Sequence, residues 1–509
     1  MTLYAPGLYF VGGRGDGSSA ASTNGGGCTV ECWRNVINAD ITKLMTSTGG
    51  PIADATACSY QHSSTRVTKT GEFDDVETGM TAYMTGTNLL TGRYDITDVD
   101  PGGDWVEVGE IFSWGDNTDT TISIGGAIDT LSNCFAAMPP AAANCGNQYL
   151  FTNKDETFTS TLTMPDYGDA DKNYWFYIVG YHETVNSDLS TDMDRGGSNY
   201  GGPFKPTTAD AWVTIDGNGM SNHLFEYASP GRDNIQWRNI KFYNVDTATN
   251  TAIYVLANSY NNVFINCQFD TMRRGVEGNY THNYVFIDCY ENVLLQLYIN
   301  VTDGAYLALG CNFQGSSGTV DVLRSVSGVI LNCVCNRPGA KLTSTRESGL
   351  TVVANCIVYS GESAAIGFNA VNCLVIACNN IFCTAAVDDY VIQINDDLGS
   401  VGYCEYNYAY CPAGNFTVNP FYNETADNDG WDDDIAGTTC VINTDPELVD
   451  PGNDDCRLKP TSPCLNAGKG APASDDYDGY TSIGVWQRWQ QWPENEIGPA
   501  VGSAVTGAF

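Results

Sequence analysis

The sequence predicts an all-β chain built on a parallel β-helix solenoid, and three observations carry that prediction. Cysteine recurs as Cys267, Cys289, Cys311, Cys333, Cys356 and Cys378, with spacings of 22, 22, 22, 23 and 22 residues. Each cysteine closes a triplet with one residue between members: Val263/Ile265/Cys267, Val285/Ile287/Cys289, Leu307/Leu309/Cys311, Val329/Leu331/Cys333, Val352/Ala354/Cys356 and Leu374/Ile376/Cys378. Alternate residues of a strand share a face, so these apolar triplets are expected to point inward. A unit of about 22 residues is too short for two packed helices and suits one solenoid coil of short strands and turns. Equivalent residues then stack about 4.8 Å apart along the axis.

Residues 1–125 show no trace of this period and are rich in Gly, Ser and Thr. Strand-like stretches at Thr81 to Thr85, Gly92 to Val99 and Trp105 to Phe112, with a Pro101-Gly102-Gly103 turn, predict a small separate β domain. Over 126–140 the spacing of Ile128, Leu131, Cys134, Phe135 and Met138 is helical, and Pro139-Pro140 ends the run. A helix there is expected to cap the open apolar end of the first coil. The solenoid is assigned to 141–415, opening with strands at Gln148 to Thr152, Thr157 to Met164, Trp175 to Tyr181, Trp212 to Asp216 and Asn234 to Phe242. Their irregular spacing implies long insertions, notably Asn186 to Gly202. Residues 416–509 are read as a closing segment.

Composition excludes several classes of function. With 60 acidic and 23 basic residues the net charge is −37, which argues against nucleic-acid binding through a basic surface and against docking on anionic membranes. No apolar run approaches the ~18 residues of a spanning helix. Nineteen cysteines, an odd number, in a chain of 509 residues do not fit a small disulfide scaffold. Met1 leads into Thr-Leu-Tyr-Ala-Pro-Gly without a basic and then apolar leader, so the thiols are expected reduced, as small buried hydrophobes. Zinc is not expected, because the ladder lacks histidine and no Cys-x-x-Cys pair occurs.

Phe73-Asp74-Asp75-Val76, Gly79-Met80 and Gly92-Arg93-Tyr94-Asp95-Ile96 resemble small β modules at the front of phage and environmental β-helix proteins. The cap, the coil ending in Ile178-Val179-Gly180 and the cysteine coils resemble right-handed parallel β-helix proteins of the pectin-lyase-like group. Asp445-Pro446-Glu447-Leu448, the stretch Leu458 to Gly468, Asp476-Tyr477-Asp478-Gly479 and Ile483-Gly484-Val485 add to the likeness, which covers residues 127–488. The resemblance implies the fold; lyases, hydrolases, adhesins and inert virion parts all use it.

Pectate-lyase-like enzymes abstract a sugar proton with a basic residue while carboxylates hold calcium against the substrate. The nearest constellation here is Asp270, Arg273, Arg274 and Glu277, with Asp288 and Glu291 one coil later; Asp288 is expected to face outward. The competing reading is a solvated turn and outer strand face, and the lack of an extended lyase signature leans away from an enzyme. No cofactor is required. Calcium is the ion that the oxygen-dense runs Asp427 to Asp434 and Asp475 to Gly479 would suit, with Asp476 and Asp478 as candidate ligands.

The triplet register also places Phe264, Phe286, Ala308, Ile330, Val353 and Val375 outward, as an apolar stripe that needs cover. Closed assembly, with a homotrimer favoured, is the expected cover, and packing by the segment from Asn415 to Phe509 is the rival. The reading that follows is a structural or receptor-facing virion protein, such as a fibre, spike or capsid decoration. Its N-terminal domain would dock on capsid or tail proteins and its solenoid would meet host glycans. A tailspike-type polysaccharide lyase or glycoside hydrolase is the second reading, and a bacterial surface adhesin the third.

Overall fold

The computed structural model describes residues 7–11 and 28–29, most of 53–124, part of 130–135, and the strands and corners of 148–465. Residues 466–509 and the longer loops, 181–211 and 424–439 among them, lie outside the described residues.

Residues 53–124 form a closed six-stranded barrel in the order Ala53–Tyr60, Arg66–Thr68, Trp105–Val108, Gly92–Val99, Thr81–Thr85 and Asn117–Ile124. Closure removes the exposed strand edges that a small antiparallel sheet would otherwise present. Its interior is filled by Cys58, Val67, Phe73, Met80, Met84, Ile96, Val106 and Ile122. The predicted Pro-Gly-Gly turn joins two of these strands. Gly103 sits there at φ 70, and a Cβ on it would come within 1.8 Å of Asp74 Oδ1, so no other residue fits. The barrel begins at residue 53, whereas Gly7–Val11 pairs in parallel with Gln148–Thr152 and belongs to the solenoid.

The solenoid has three long sheets, of 12, 11 and 10 strands, and each coil visits them in turn. We call them the first, second and third sheets. The pairings between coils are parallel, and the chain is a parallel β-helix. At its start, Leu131, Ser132 and Phe135 have helical backbone, and Leu131 and Phe135 are buried in the solenoid core. Glu156 accepts the Leu131 N–H at 2.9 Å. The remainder of the expected capping helix, and the insertion Asn186 to Gly202, lie outside the described residues.

The register of the first sheet corrects the triplets by one residue. Phe264, Phe286, Ala308, Ile330, Val353 and Val375 are all fully buried, so the supposed outer stripe is core, and in register Val353 is followed by the buried Ala377 while Val375 pairs with Thr351. Val263 and Ile265, with their equivalents, face outward and are half-buried, except Val285, which is buried. The cysteines are nevertheless inside. Between strand and cysteine lies a single corner residue with left-handed backbone: Asn266 (φ 48), Asp288 (φ 52), Gly310 (φ 66), Asn332 (φ 54) and Asn355 (φ 55). Such a residue breaks the two-residue alternation, and Asn, Asp and Gly are the types that tolerate it.

The sixth cysteine is not in the ladder. The corner residue of its coil is Asn379 (φ 58), and Asn380 follows where the other coils carry cysteine. Cys378 pairs with Ala354 and lies half-buried on the outer face. That coil is two residues longer, so the 22-residue spacing there is a coincidence of position. The other five ladder cysteines are buried and reduced.

The interior changes character along the axis. Phe225, Trp237, Phe242, Phe264, Phe269 and Phe286 make one run of ring contacts at 4.9–5.5 Å between neighbours, and Trp237 Nε1 donates to the Tyr227 hydroxyl at 3.1 Å. Later coils fill the same column with Ala308, Ile330, Val353 and Ala377.

The chain covers parts of its own solenoid. Val179, on the outer face of the first sheet, is buried in the barrel's apolar cluster, with Tyr177 packed beside it. A hairpin of Leu448–Asp450 and Asp455–Leu458 packs with Cys464 on the outer face of the second sheet, against Val334, Ile357, Ile381 and Tyr408.

Candidate functional site

The six residues proposed from the sequence are distributed over four places. Asp270 ends a strand of the second sheet and faces outward. Its carboxylate pairs with Lys241 at 3.0 Å and accepts Asn292 Nδ2 at 3.0 Å and the Thr271 hydroxyl at 3.1 Å. The Lys241 ammonium also lies 4.7 Å from the centre of the Tyr243 ring. Beyond the next corner, Arg274 and Glu277 pair at 2.7 Å on the outer face of the third sheet, and Arg273 lies half-buried in the turn before them.

Asp288 corrects the expectation that it faces outward, and Glu291 does not lie on the surface with the rest of the constellation. Asp288 is a corner residue in the column of Asn266 and Asn332. A Cβ at Gly310 in the next coil would come within 2.3 Å of Asp288 Oδ1, so glycine makes room for the carboxyl. Burial pushes that carboxyl up to about 8, which makes it protonated, and asparagine-like, near neutral pH. Glu291 is fully buried, in register between the inward Phe269 and Phe313, where Oε1 accepts the Val293 N–H at 2.9 Å. Neither is placed to meet a polymer on the surface.

The second and third sheets meet at the corner between Asp270 and Arg274, and the strongest polar constellation lies on the third. Glu226, Tyr254 and Glu277 stand in register on its outer face. His223 stacks on Tyr254 with ring centres 4.1 Å apart and interplanar angle 16°, and its Nδ1 shares a hydrogen bond of 2.8 Å with the Thr251 hydroxyl. Burial lowers the His223 pKa, while the Glu277 and Glu226 carboxylates act in the opposite sense. The imidazole is therefore neutral at neutral pH. A flat, half-exposed His–Tyr pair flanked by two carboxylates and Arg274 can stack on the apolar face of a ring and hydrogen-bond its hydroxyls.

Sequence reasoning found Arg274 and Glu277 but missed His223, Glu226 and Tyr254. Their spacings of 28 and 23 residues along the outer column obscure the relation. Only the strand register aligns them.

Asp476, Asp478 and the run Asp427 to Asp434 lie outside the described residues. Among the described residues there is no group of three or more His, Cys, Asp or Glu side chains arranged to hold a metal ion, and no helix long and apolar enough to cross a membrane.

No protein-family model matches the chain, and no curated protein matches it in sequence. Among solved structures, it is similar to the pectate lyase Pel9A at 14% identity and TM-score 0.37, over 71% of this chain and 91% of that one. It is similar to PfbA, a surface adhesin of Streptococcus pneumoniae, at 10% identity and TM-score 0.31, over 53% and 80%. It is also similar to the tailspike protein gp49 from Pseudomonas phage LKA1, at 10% identity and TM-score 0.15, over 71% and 64%.

Proposed function

We propose that this chain is a structural, receptor-facing component of a virus particle that assembles through the outer face of its first sheet, with a homotrimer as the favoured form. One observation carries the proposal. Val263, Val285, Leu307, Val329, Val352 and Ile376 form one stacked column on that face, and Ile265, Ile287, Leu309 and Leu331 form a second; Val285 is buried and the others are half-buried. Leu350 and Leu374 beside them are 40% and 45% exposed. The barrel covers this face at Tyr177 and Val179 and the hairpin covers the second sheet, while these columns continue uncovered among the described residues. Symmetric copies of one chain are the simplest cover for such a face.

The charge of −37 sets the conditions. Copies repel one another at low ionic strength, and salt shortens the range of that repulsion to about 8 Å at 0.15 M. Light scattering is therefore expected to show assembly that strengthens with salt. Leu309→Lys is expected to give folded monomers. A parent chain that stays monomeric at high salt rejects the assembly, and its absence from purified particles rejects the virion role.

A glycan-binding or glycan-cleaving role is the second reading, and the His223–Tyr254 platform is what favours it. A polysaccharide panel tests it: binding abolished by Tyr254→Ala supports a binder, and release of new reducing or unsaturated ends supports an enzyme.

A further inference from the structure

The ladder continues past the last period-22 cysteine, and its final member is again a thiol. The Sγ of Cys289, Cys311, Cys333 and Cys356 lies 3.4–3.7 Å from the carbonyl of the core residue one coil back, Phe264, Phe286, Ala308 and Ile330, and 3.2–3.5 Å from the carbonyl two residues before it in its own coil. Asn380 and Asn407 continue the series to Val353 and Ala377 through Nδ2, at 2.8 and 3.1 Å. Cys440 comes next, donating to the Cys404 carbonyl at 3.8 Å.

Three features separate this last step from the coils above it. Cys404 carries a thiol where the column, from Trp237 to Ala377, carries Trp, Phe, Ala, Ile or Val, and the Cys404 and Cys440 sulfurs are 3.8 Å apart. Cys440 is half-buried, whereas the ladder thiols above it are fully buried. Asn407 Nδ2 donates to Cys404 Sγ at 2.9 Å and lies 3.9 Å from Cys440 Sγ, so one amide donor faces both sulfurs. Burial and the neighbouring Cys440 hold the Cys404 thiol well above its ordinary value, with the Asn407 donor acting in the opposite sense, so the half-buried Cys440 is the sulfur placed to react first.

We propose that Cys404 and Cys440 are a modification site, joined as a disulfide when the protein meets a low-molecular-weight disulfide outside the compartment in which it is made. The thiolate of Cys440, the accessible partner, attacks the small disulfide and forms a mixed disulfide, releasing one small thiol. Cys404 gives up its proton and attacks Cys440 Sγ, forming the internal bond and releasing the second thiol. Two protein thiols are oxidised and one small disulfide is reduced to two thiols. The bond closes a loop of 36 residues and ties the last described strand of the first sheet to the end of the second, where, among the described residues, no further coil follows.

The test exposes the full chain to glutathione disulfide, then blocks remaining thiols and measures intact mass and cross-linked peptides. The expected product is lighter by about 2 Da before blocking, carries a Cys404–Cys440 peptide, and unfolds several degrees higher than the reduced form. Cys440→Ser is expected to abolish both the cross-link and the shift, and Cys404→Ser to stop at a glutathione adduct on Cys440. If Cys404→Ser does not fold, Cys440→Ser and the peptide map decide alone. Two unmodified thiols after exposure, a bond from Cys440 to any other cysteine, or a bond between two chains would overturn the proposal.

Discussion

The two halves of the corner ladder do the same work with different chemistry. From Cys289 to Cys356 the side chain is a thiol, which reaches the neighbouring coil's carbonyl at 3.4–3.7 Å. At Asn380 and Asn407 it is an amide, at 2.8 and 3.1 Å. The amides also link to each other: Asn380 Nδ2 and the Asn380 N–H both donate to Asn407 Oδ1, at 2.9 and 3.0 Å, and the Cys356 N–H donates to Asn380 Oδ1 at 2.9 Å. The difference shows what the position requires. It is a small buried side chain that can donate to a carbonyl of the neighbouring coil, and apolarity is secondary, since a buried donor left without a partner is costly.

The largest effect expected from breaking this comparison is a charge in the sulfur half. Cys311→Asp places a carboxylate among fully buried thiols, and burial already holds the neighbouring Cys289 and Cys333 thiols well above their ordinary values. A loss of about 4 kcal/mol or more in chemical unfolding is expected. A loss below about 1 kcal/mol would mean that the column admits water.

Next come paired truncations. Asn380→Ala removes a short amide bond to the Val353 carbonyl and leaves the Cys356 N–H unsatisfied, at an expected cost of about 3 kcal/mol. Cys356→Ala removes a long thiol bond and a small volume, at about 1–2 kcal/mol. Equal losses in denaturant titrations would erase the distinction between the halves.

Asp288 sharpens the comparison through pH. Its carboxyl titrates near 8 in the folded chain, against an ordinary value of 3.8, so the folded state binds the extra proton between these values. Stability contributed by that proton is complete below about pH 4, falls as pH rises and is gone above about pH 8. Asp288→Asn, which matches the other corner residues, is expected to raise stability by about 3 kcal/mol at pH 9 and to leave it unchanged at pH 4. The same gain at both pH values would show that the carboxyl is solvated.

The smallest effect belongs to Cys378. Being half-buried on the outer face, it should tolerate Ser within about 0.5 kcal/mol and label faster in the native protein than Cys289. Slow labelling would return it to the ladder.

The period of the ladder and most of the early strands were legible in the sequence, because stacking forces like residues into like places. The one-residue error in register arose from carrying alternation through the corner. Its remedy was present in the Asn, Asp, Gly, Asn and Asn that precede the five ladder cysteines, which mark left-handed backbone. The polar platform was less legible. His223, Glu226, Tyr254 and Glu277 come from coils of unequal length, so no fixed spacing connects them.

Sequence by itself determined the coil, its repeat and the burial of the five ladder thiols, since a periodic apolar pattern admits few ways of hiding itself from water. Tertiary structure alone decided which face each residue took, that Glu291 is buried while Asp270 is paired with Lys241, and that Cys440 meets Cys404. The physical reason is that pattern is set by local alternation, whereas facing and contact depend on single corner residues and on loop lengths that shift one coil against the next.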